Sequence, residues 1–447
     1  MTNHKSLLKT FFLKIAAKLG LELHEKTENT VSFMEHGFNP TAIGAGVVAN
    51  IAIDDSDIVI RGESNRAKAL TEIKDYFQNE IETAAATVAL ATGDCLIRPF
   101  TDGEFIGFNI IGNDDFEITE SVGLHLKGII IKLDEYSTES NTYRLFESQT
   151  LKSTERGKVV VVKRFAFKNT DEIGLENTQW KAIKTDDIFL TDQLLIGRYK
   201  CPTINRDNYN SVSGVPITFG CEDIVENVRK KYNQYNEEFN RKETVVFADR
   251  SLFRKENKED GKTRLVRDGK EYVTFKGDLN NGISDMIQEY SPDIRETEFK
   301  AGIDLNLSVL ELCCGFSRGV FTTPETSFAT ATEMINSLKK TFSFVKRFRA
   351  SIENGNAMLF KTIDFIISLI GKTPVGDWSL EHDWSYDYIE QTTEKFNQLL
   401  QAHAAGCLKD EDLVGWIKGI NEQEAKEYME ELRQLRTDEL TNVQTTE

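Results

Sequence analysis

Residues 291–354 read SPDIRETEFKAGIDLNLSVLELCC (291–314), GFSRGVFTTPETSFA (315–329) and TATEMINSLKKTFSFVKRFRASIEN (330–354). The spacing predicts a long helix, a break, and a second long helix. Ser291-Pro292-Asp293 is a start signal: serine can cap free backbone N–H groups, and proline at the first helical position loses no hydrogen bond. Phe299, Ile303, Leu307, Leu310 and Cys314 then recur at steps of three and four residues, which puts them on one helix face. Gly315 and the threonine-rich run Thr322, Thr323, Thr326 read as a loop. Thr330-Ala331-Thr332-Glu333 restarts a helix with a capping-box pattern. Ile335, Leu338, Phe342, Val345 and Ile352 carry its apolar stripe, and Gly355 is the expected stop.

Outward from this stretch, the neighbours alternate in character. Gly220 to about Lys242 is helical by the spacing of Ile224, Val228, Tyr232, Tyr235 and Phe239, with charge on its other faces. Thr244 to Tyr290 leans to strand at Thr244–Phe247 and Tyr272–Phe275, around an exposed polar loop at Lys255–Lys262. A small β insert thus separates two long helices. Ala357 to Ile370 is strongly apolar and reads as a second, buried helix after Gly355. From Trp378 onward the chain reads as a helical tail, turned at Ala405-Gly406-Cys407, with a disordered end from about Thr441.

Toward the N-terminus, Leu7–Leu19 is an amphipathic helix interrupted by Lys9, Lys14 and Lys18, and it is not a signal peptide. Asn65–Ala91 is a helix with a stripe through Leu70, Ile73, Phe77 and Ile81, stopped by Gly93-Asp94. Residues 95–219 are a β-rich module, with strands at Ile129–Leu133, Tyr143–Phe146, Val159–Phe165 and Ile188–Leu190. Val159–Val162 reads as a buried strand.

Length and composition narrow the function. At 447 residues several modules are expected rather than one small core. No run of about 18 apolar residues predicts a membrane span. The six cysteines and six histidines show no metal-ligand spacing, so the cysteines read as reduced and packing, a cytosolic pattern, and no metal or cofactor is expected. With 72 acids against 54 bases the net charge is -18, which argues against tight wrapping on nucleic acid; solubility explains such acidity in most proteins, and it does not exclude a protein that lets DNA pass, since an acidic wall keeps a moving duplex from sticking.

Three patterns imitate chemistry. Ala42-Ile43-Gly44-Ala45-Gly46-Val47-Val48-Ala49 holds a Gly-x-Gly-x-x-Ala spacing without a strand before it or an acid at the ribose distance. Gly371-Lys372-Thr373 resembles the end of a phosphate loop, but Ile366 stands where that loop needs glycine. Gly315-Phe316-Ser317-Arg318-Gly319 matches the nucleophile elbow of hydrolases, with His382 and His403 downstream. The elbow needs a strand before it, and here a helix precedes. A serine hydrolase with Ser317 as nucleophile stays open as an alternative. Lys346, Arg347 and Arg349 form a basic cluster that reads as a solvated or intersubunit face, with DNA contact as the sharper option.

The order of these pieces resembles the portal proteins of tailed bacteriophages, in particular those of siphophage type from Gram-positive hosts. Ser291-Pro292-Asp293-Ile294-Arg295, Gly315-Phe316-Ser317 and Thr330-Ala331-Thr332-Glu333-Met334 are similar to the stem, loop and long-helix segment of that family, and the agreement in order extends over about residues 40–440. The resemblance implies an α+β portal fold: a wing with a β-rich module over 1–219, a stem helix at 220–243, a clip at 244–290, a second stem helix at 291–314, a tunnel loop at 315–329, a long wing helix and a following apolar helix at 330–375, and a helical crown and tail at 376–447. It implies no enzyme. It implies a homo-oligomeric ring, usually of twelve subunits, at the portal vertex of the virion capsid, made in the bacterial cytoplasm. Double-stranded DNA would pass through it during packaging and ejection. Terminase large subunit and head–tail adaptor would dock on the clip, with Lys255, Lys258, Lys262 and Arg264 as contact residues; major capsid and scaffolding proteins would meet the wing. Arg318, Thr322, Thr323 and Thr326 would face the channel. Another ring-forming protein of the phage head is the nearest rival reading.

Overall fold

A computed structural model describes residues 2–24, 37–54, 56–155, 157–241, 295–323, 331–384 and 399–418, the insert segments 245–249, 254–257, 263–267, 270–271, 273–275 and 287–290, and residues 426, 428 and 429. The chain is α+β, 46% helix and 27% strand. Most strands gather in one block between helices instead of alternating with them, which separates it from α/β folds. No helix among the described residues is long and apolar enough to cross a membrane.

Helix α1 (Thr2–Leu19) lies on a sheet. Phe11, Phe12 and Ile15 are buried against Phe146, Phe165 and Phe167, while Lys9, Lys14 and Lys18 face out. Helix α2 (Pro40–Ile53) starts at Asn39, whose side chain accepts from the Ala42 N–H, and has Pro40 in its first turn. It contains the whole Gly-x-Gly-x-x-Ala run, so no phosphate loop forms there. A Cβ at Gly44 would lie 2.1 Å from the Phe321 ring, so Gly44 makes room for an aromatic side chain. Strand β1 (Ser56–Arg61) precedes α3 (Asn65–Phe77), capped by Ser64, and α4 (Thr83–Thr92). Between them Gln78–Glu82 form a π-turn that the apolar stripe did not signal. Gly93 ends α4 at φ +101°, and a Cβ there would lie 2.6 Å from the Gly214 carbonyl oxygen.

Strands β2 (Asp94–Thr101) and β3 (Ile106–Gly112) form a hairpin. A larger antiparallel sheet follows: β4 (Phe116–Val122), β5 (His125–Ser137), β6 (Thr142–Thr154), β7 (Gly157–Lys168), β8 (Asp171–Ile173), with β9 (Asp186–Leu190) also on β7. In β7, Val160 and Val162 are buried while Val159 and Val161 are half-buried; the valine run is packed on one face rather than on both. Strand β10 (Gly197–Lys200) returns to pair with β2.

Helix α5 (Glu222–Arg241) leads to the insert, and α6 (Glu296–Cys314) leads back. The two run antiparallel, as contacts at successive levels show. Cys314 packs near Cys221, the Lys231 Nζ donates to the Gly302 carbonyl at 3.4 Å, the Tyr235 and Phe299 rings lie 5.9 Å apart, and Arg295 pairs with Glu238 at 2.9 Å. The predicted stripe of α6 is the face that packs: Leu307 and Leu310 are buried, Phe299 and Ile303 half-buried. The helix starts at Glu296, later than the Ser291-Pro292-Asp293 signal, which lies outside the described residues.

In the insert, β11 (Val245–Asp249) lies between β15 (Val273–Phe275), parallel, and β16 (Ile287–Tyr290), antiparallel. Strands β12 (Arg254–Asn257), β13 (Thr263–Arg267) and β14 (Lys270–Glu271) form a second sheet. Residues 255–257, expected in a loop, are therefore strand: cross-strand pairing overrides their polar composition.

Helix α7 (Ala331–Ile370) is a single helix of 40 residues and corrects the expectation of two helices split at Gly355. Gly355 is a site of close approach. A Cβ there would lie 2.5 Å from the Arg198 carbonyl oxygen and 2.6 Å from the Tyr199 ring. The helix ends at Gly371, φ +68°, so Gly371-Lys372-Thr373 is a helix stop. Arg66, 1% exposed, gathers the Asp364, Thr373 and Pro374 carbonyls at this end. Residues 379–384, expected in the helical tail, form β17 (Ser379–Trp384), antiparallel to β1. The segment after 376 thus begins as part of the N-terminal half. Residues 399–404 are helical, and α8 (Asp410–Lys418) follows the turn. The disordered end expected from Thr441 lies outside the described residues.

Candidate functional site

The break after α6 is built around a glutamate. Gly315 takes a left-handed conformation, φ +76°, and the Phe316 N–H returns to the Glu311 carbonyl at 2.8 Å, a glycine C-cap. The chain then curls so that the N–H groups of Gly319, Val320, Phe321 and Thr322 all point at Glu311 Oε1, at 3.0, 3.0, 2.9 and 3.0 Å. The Thr322 hydroxyl reaches both carboxylate oxygens, each at 3.0 Å. Glu311 is 1% exposed, and these donors replace the water it has lost.

Apolar contacts fix the same loop to the core. Phe316 and Val320 are buried in the main cluster with α2, α4 and α7, and the Phe316 ring meets Phe344 edge-on at 5.0 Å. The Ser317 N–H donates to the Thr341 hydroxyl of α7 at 2.9 Å. The described part of the loop, 315–323, is thus a packed turn. Arg318 and Thr323 are exposed. Thr322, expected to face outward, turns inward because Glu311 takes its hydroxyl. Thr326 lies outside the described residues.

The other described candidates lie on other elements. Lys255 stands opposite Leu265 and Arg264 opposite Glu256 in the β12–β13 ladder; Lys258 and Lys262 lie outside the described residues. In the basic cluster, Lys346 and Arg347 are exposed, but Arg349 is buried. Its guanidinium donates to the Ala52 carbonyl at 2.8 Å and lies 4.9 Å from the Trp384 ring centre, closing the C-terminal end of α2. Arg349 is therefore structural and not part of a free basic face.

Among the described residues no histidine is hydrogen-bonded to Ser317. Its hydroxyl is buried and finds no hydrogen-bond partner among the described residues. His382 is engaged with Asn356 at 3.0 Å and stacks on Trp384; His403 pairs with Asp410. The six cysteines are all free thiols. Among the described residues no group of three His, Cys, Asp or Glu side chains could hold a metal ion.

One polar cluster was not anticipated. Glu82 projects from the π-turn into the core, where its Oε1 accepts from Asn356 at 2.9 Å and from the Tyr199 hydroxyl at 3.5 Å. The single Tyr199 hydroxyl proton is shared between Glu82 and the nearer Asn356 Oδ1, and Asn356 touches His382. Burial raises the Glu82 carboxyl to about 7, against the lowering effect of Asn356 and Tyr199. Burial lowers His382.

Glu311 carries a sequence signal that periodicity does not use. An acid in the last turn of a helix opposes the helix dipole, so an acid beside the buried Leu310 needs donors from elsewhere. A scan against models of protein families finds none that matches this chain, and a search of curated proteins finds no related sequence.

Proposed function

We propose that this chain is a portal-type protein, a subunit of a ring that conducts DNA through one vertex of a phage capsid. The observation that carries the reading is the antiparallel α5–α6 hairpin with a β insert at its far end, followed by a tight loop and the 40-residue α7. Helix, β insert, helix, loop and long helix is the order that the resemblance to portal proteins implies. In this reading α5 and α6 line the stem, residues 244–290 form the clip that meets terminase and adaptor, and the α8 region contributes to the crown.

A second feature supports a ring. On α6, Leu305, Val309 and Leu312 are 65%, 39% and 67% exposed and lie at steps of four and three residues. The described residues leave this apolar stripe exposed, and a neighbouring copy in a heterologous, closing interface would cover it. The mechanism is electrostatic and mechanical. Copies of a chain of net charge -18 give an acidic wall that keeps a moving duplex from sticking. The Glu311 turn holds its loop rigidly, so exposed Arg318 and Thr323 would meet the phosphates from a fixed position.

Native mass spectrometry tests the assembly. A particle of about a dozen copies of the 50.8 kDa chain is expected. A chain that stays monomeric, alone and when co-expressed with capsid and scaffolding proteins, rules the reading out.

A further inference from the structure

Side chains from four distant elements meet behind the β1–β17 pair. Asn356 lies in α7, Tyr199 in β10 and Glu82 in the π-turn, and all three are buried. His382, half-buried in β17 opposite Ile58, reaches the same point. Both ends of the Asn356 amide are engaged. Its Oδ1 lies 2.5 Å from the Tyr199 hydroxyl and accepts. Its Nδ2 donates one hydrogen to Glu82 Oε1 at 2.9 Å and turns the other to His382 Nε2 at 3.0 Å. An amide nitrogen has no acceptor to offer, so Nε2 must be the accepting atom. His382 is thereby held neutral, with its proton on Nδ1. A second proton, on Nε2, would set N–H against N–H.

The charges around His382 leave that second proton poorly compensated. On its face of the ladder the neighbouring side chains are Ser56, Ile58, Ile60, Leu380 and Trp384, none of them charged; Asp57, Arg61, Glu381 and Asp383 alternate to the other face. Helix α7 brings Glu353, which accepts the Trp384 indole N–H, and Arg349, 4.9 Å from the Trp384 ring centre, two charges of opposite sign. Glu82 is the other acid, with Lys74 of α3, paired to Asp57 and Asp75, acting on it from a distance. Burial keeps the Tyr199 hydroxyl and the Cys95 thiol protonated. Burial outweighs Glu353 and lowers His382 from its ordinary 6.5. Glu82, pushed up to about 7, takes its proton first as pH falls, so its charge is gone when His382 ionises. The stability linked to neutral His382 is complete above pH 6.5 and is lost as pH falls through the lower folded value.

The strand that His382 holds has few other ties. Strands β1 and β17 form a two-stranded sheet, so among the described residues no second strand pairs with β17. The Arg61–Glu381 ion pair is exposed on both sides and adds little. We propose that His382 is an acid-operated catch: a proton on Nε2 breaks its bond to Asn356 and releases Ser379–Trp384 from β1 and α7, while the rest of the core stays folded. The catch does not depend on the portal reading.

Hydrogen exchange of the full-length protein, read by mass spectrometry and compared with the intrinsic rate at each pH, tests this. Protection of residues 379–384 is expected to fall by about threefold or more between about pH 7.5 and pH 5, while strands β5, β6 and β7 keep theirs. His382→Gln offers an amide oxygen to Asn356 and takes no proton, so the fall is expected to vanish in it. Should that variant open at every pH, nuclear magnetic resonance of the histidine ring nitrogens in the wild type still decides, with His382→Gln identifying the signal. The expected state at about pH 7.5 is a proton on Nδ1 and none on Nε2. Equal protection at both pH values, a fall shared by β5, β6 and β7, a fall that persists in His382→Gln, or a proton on Nε2 at about pH 7.5 overturns the proposal.

Discussion

Glu311 is the polar anchor of its loop. Four backbone N–H groups and a hydroxyl converge on one buried carboxylate. Removing the acceptor strands donors that water cannot easily reach, each costing about 1–3 kcal/mol when left unpaired. Glu311→Ala is expected to lower stability by about 3–5 kcal/mol in urea unfolding, near the cost of breaking a buried charged pair. Glu311→Asp, too short to reach the same N–H groups, is expected to recover less than half of that. A loss under 1 kcal/mol for the alanine variant would mean the turn is held by Phe316 and Val320 instead.

Glu82 makes the opposite electrostatic statement. Its folded value of about 7 lies above the ordinary 4.5, so the folded state holds a proton that the unfolded state gives up. The associated stability is complete below pH 4.5 and is lost as pH rises through about 7. A shift of this size is worth about 3 kcal/mol. Glu82→Gln mimics the protonated acid and keeps the acceptor for Asn356 and Tyr199. Its stability relative to wild type should therefore rise by about 3 kcal/mol between pH 4.5 and pH 8. Parallel pH profiles would show that Glu82 is as hydrated as an ordinary surface acid.

At the scale of elements, local pattern and long-range contact part company. The stripes of α1, α5 and α6 and the strands of the β-rich module were legible, because periodicity reports which face is apolar and that face is the one that packs. Gly355 was not. In isolation glycine is a plausible stop; here α7 runs through it because β10 crosses at that point. This separates the two readings by sign. At an exposed helix position Gly→Ala stabilises by about 1 kcal/mol. Gly355→Ala forces a methyl to 2.5 Å from the Arg198 carbonyl oxygen and is expected to destabilise by about 2 kcal/mol or more in thermal or urea unfolding. A stabilised variant would mean that α7 and β10 do not touch there. The β1–β17 pair was hidden for a related reason: its partners, Ser56–Arg61 and Ser379–Trp384, lie far apart in sequence and neither run announces the other. Glu311, Arg66 and Arg349 escaped because burial of a charge depends on donors or carbonyls brought by distant elements.

At the scale of the whole molecule, one core joins segments far apart in the chain, from Ala45 to Trp384. Residues from α2, α4, β2, the Glu311 turn and α7 share it, and β17 returns from beyond α7 to close it. The α5–α6 hairpin and its β insert project from this body in sequence as one excursion, tied at the root by Cys221, Leu310 and Cys314. One long excursion, an exposed apolar stripe on it and a strong negative charge are the features on which the proposed ring subunit rests. Negative-stain electron microscopy of the purified protein tests that claim most directly. The account predicts closed rings with a central hole and a stem formed by the hairpins. Compact particles without a hole, both from the protein alone and at the vertices of assembled particles, would contradict it.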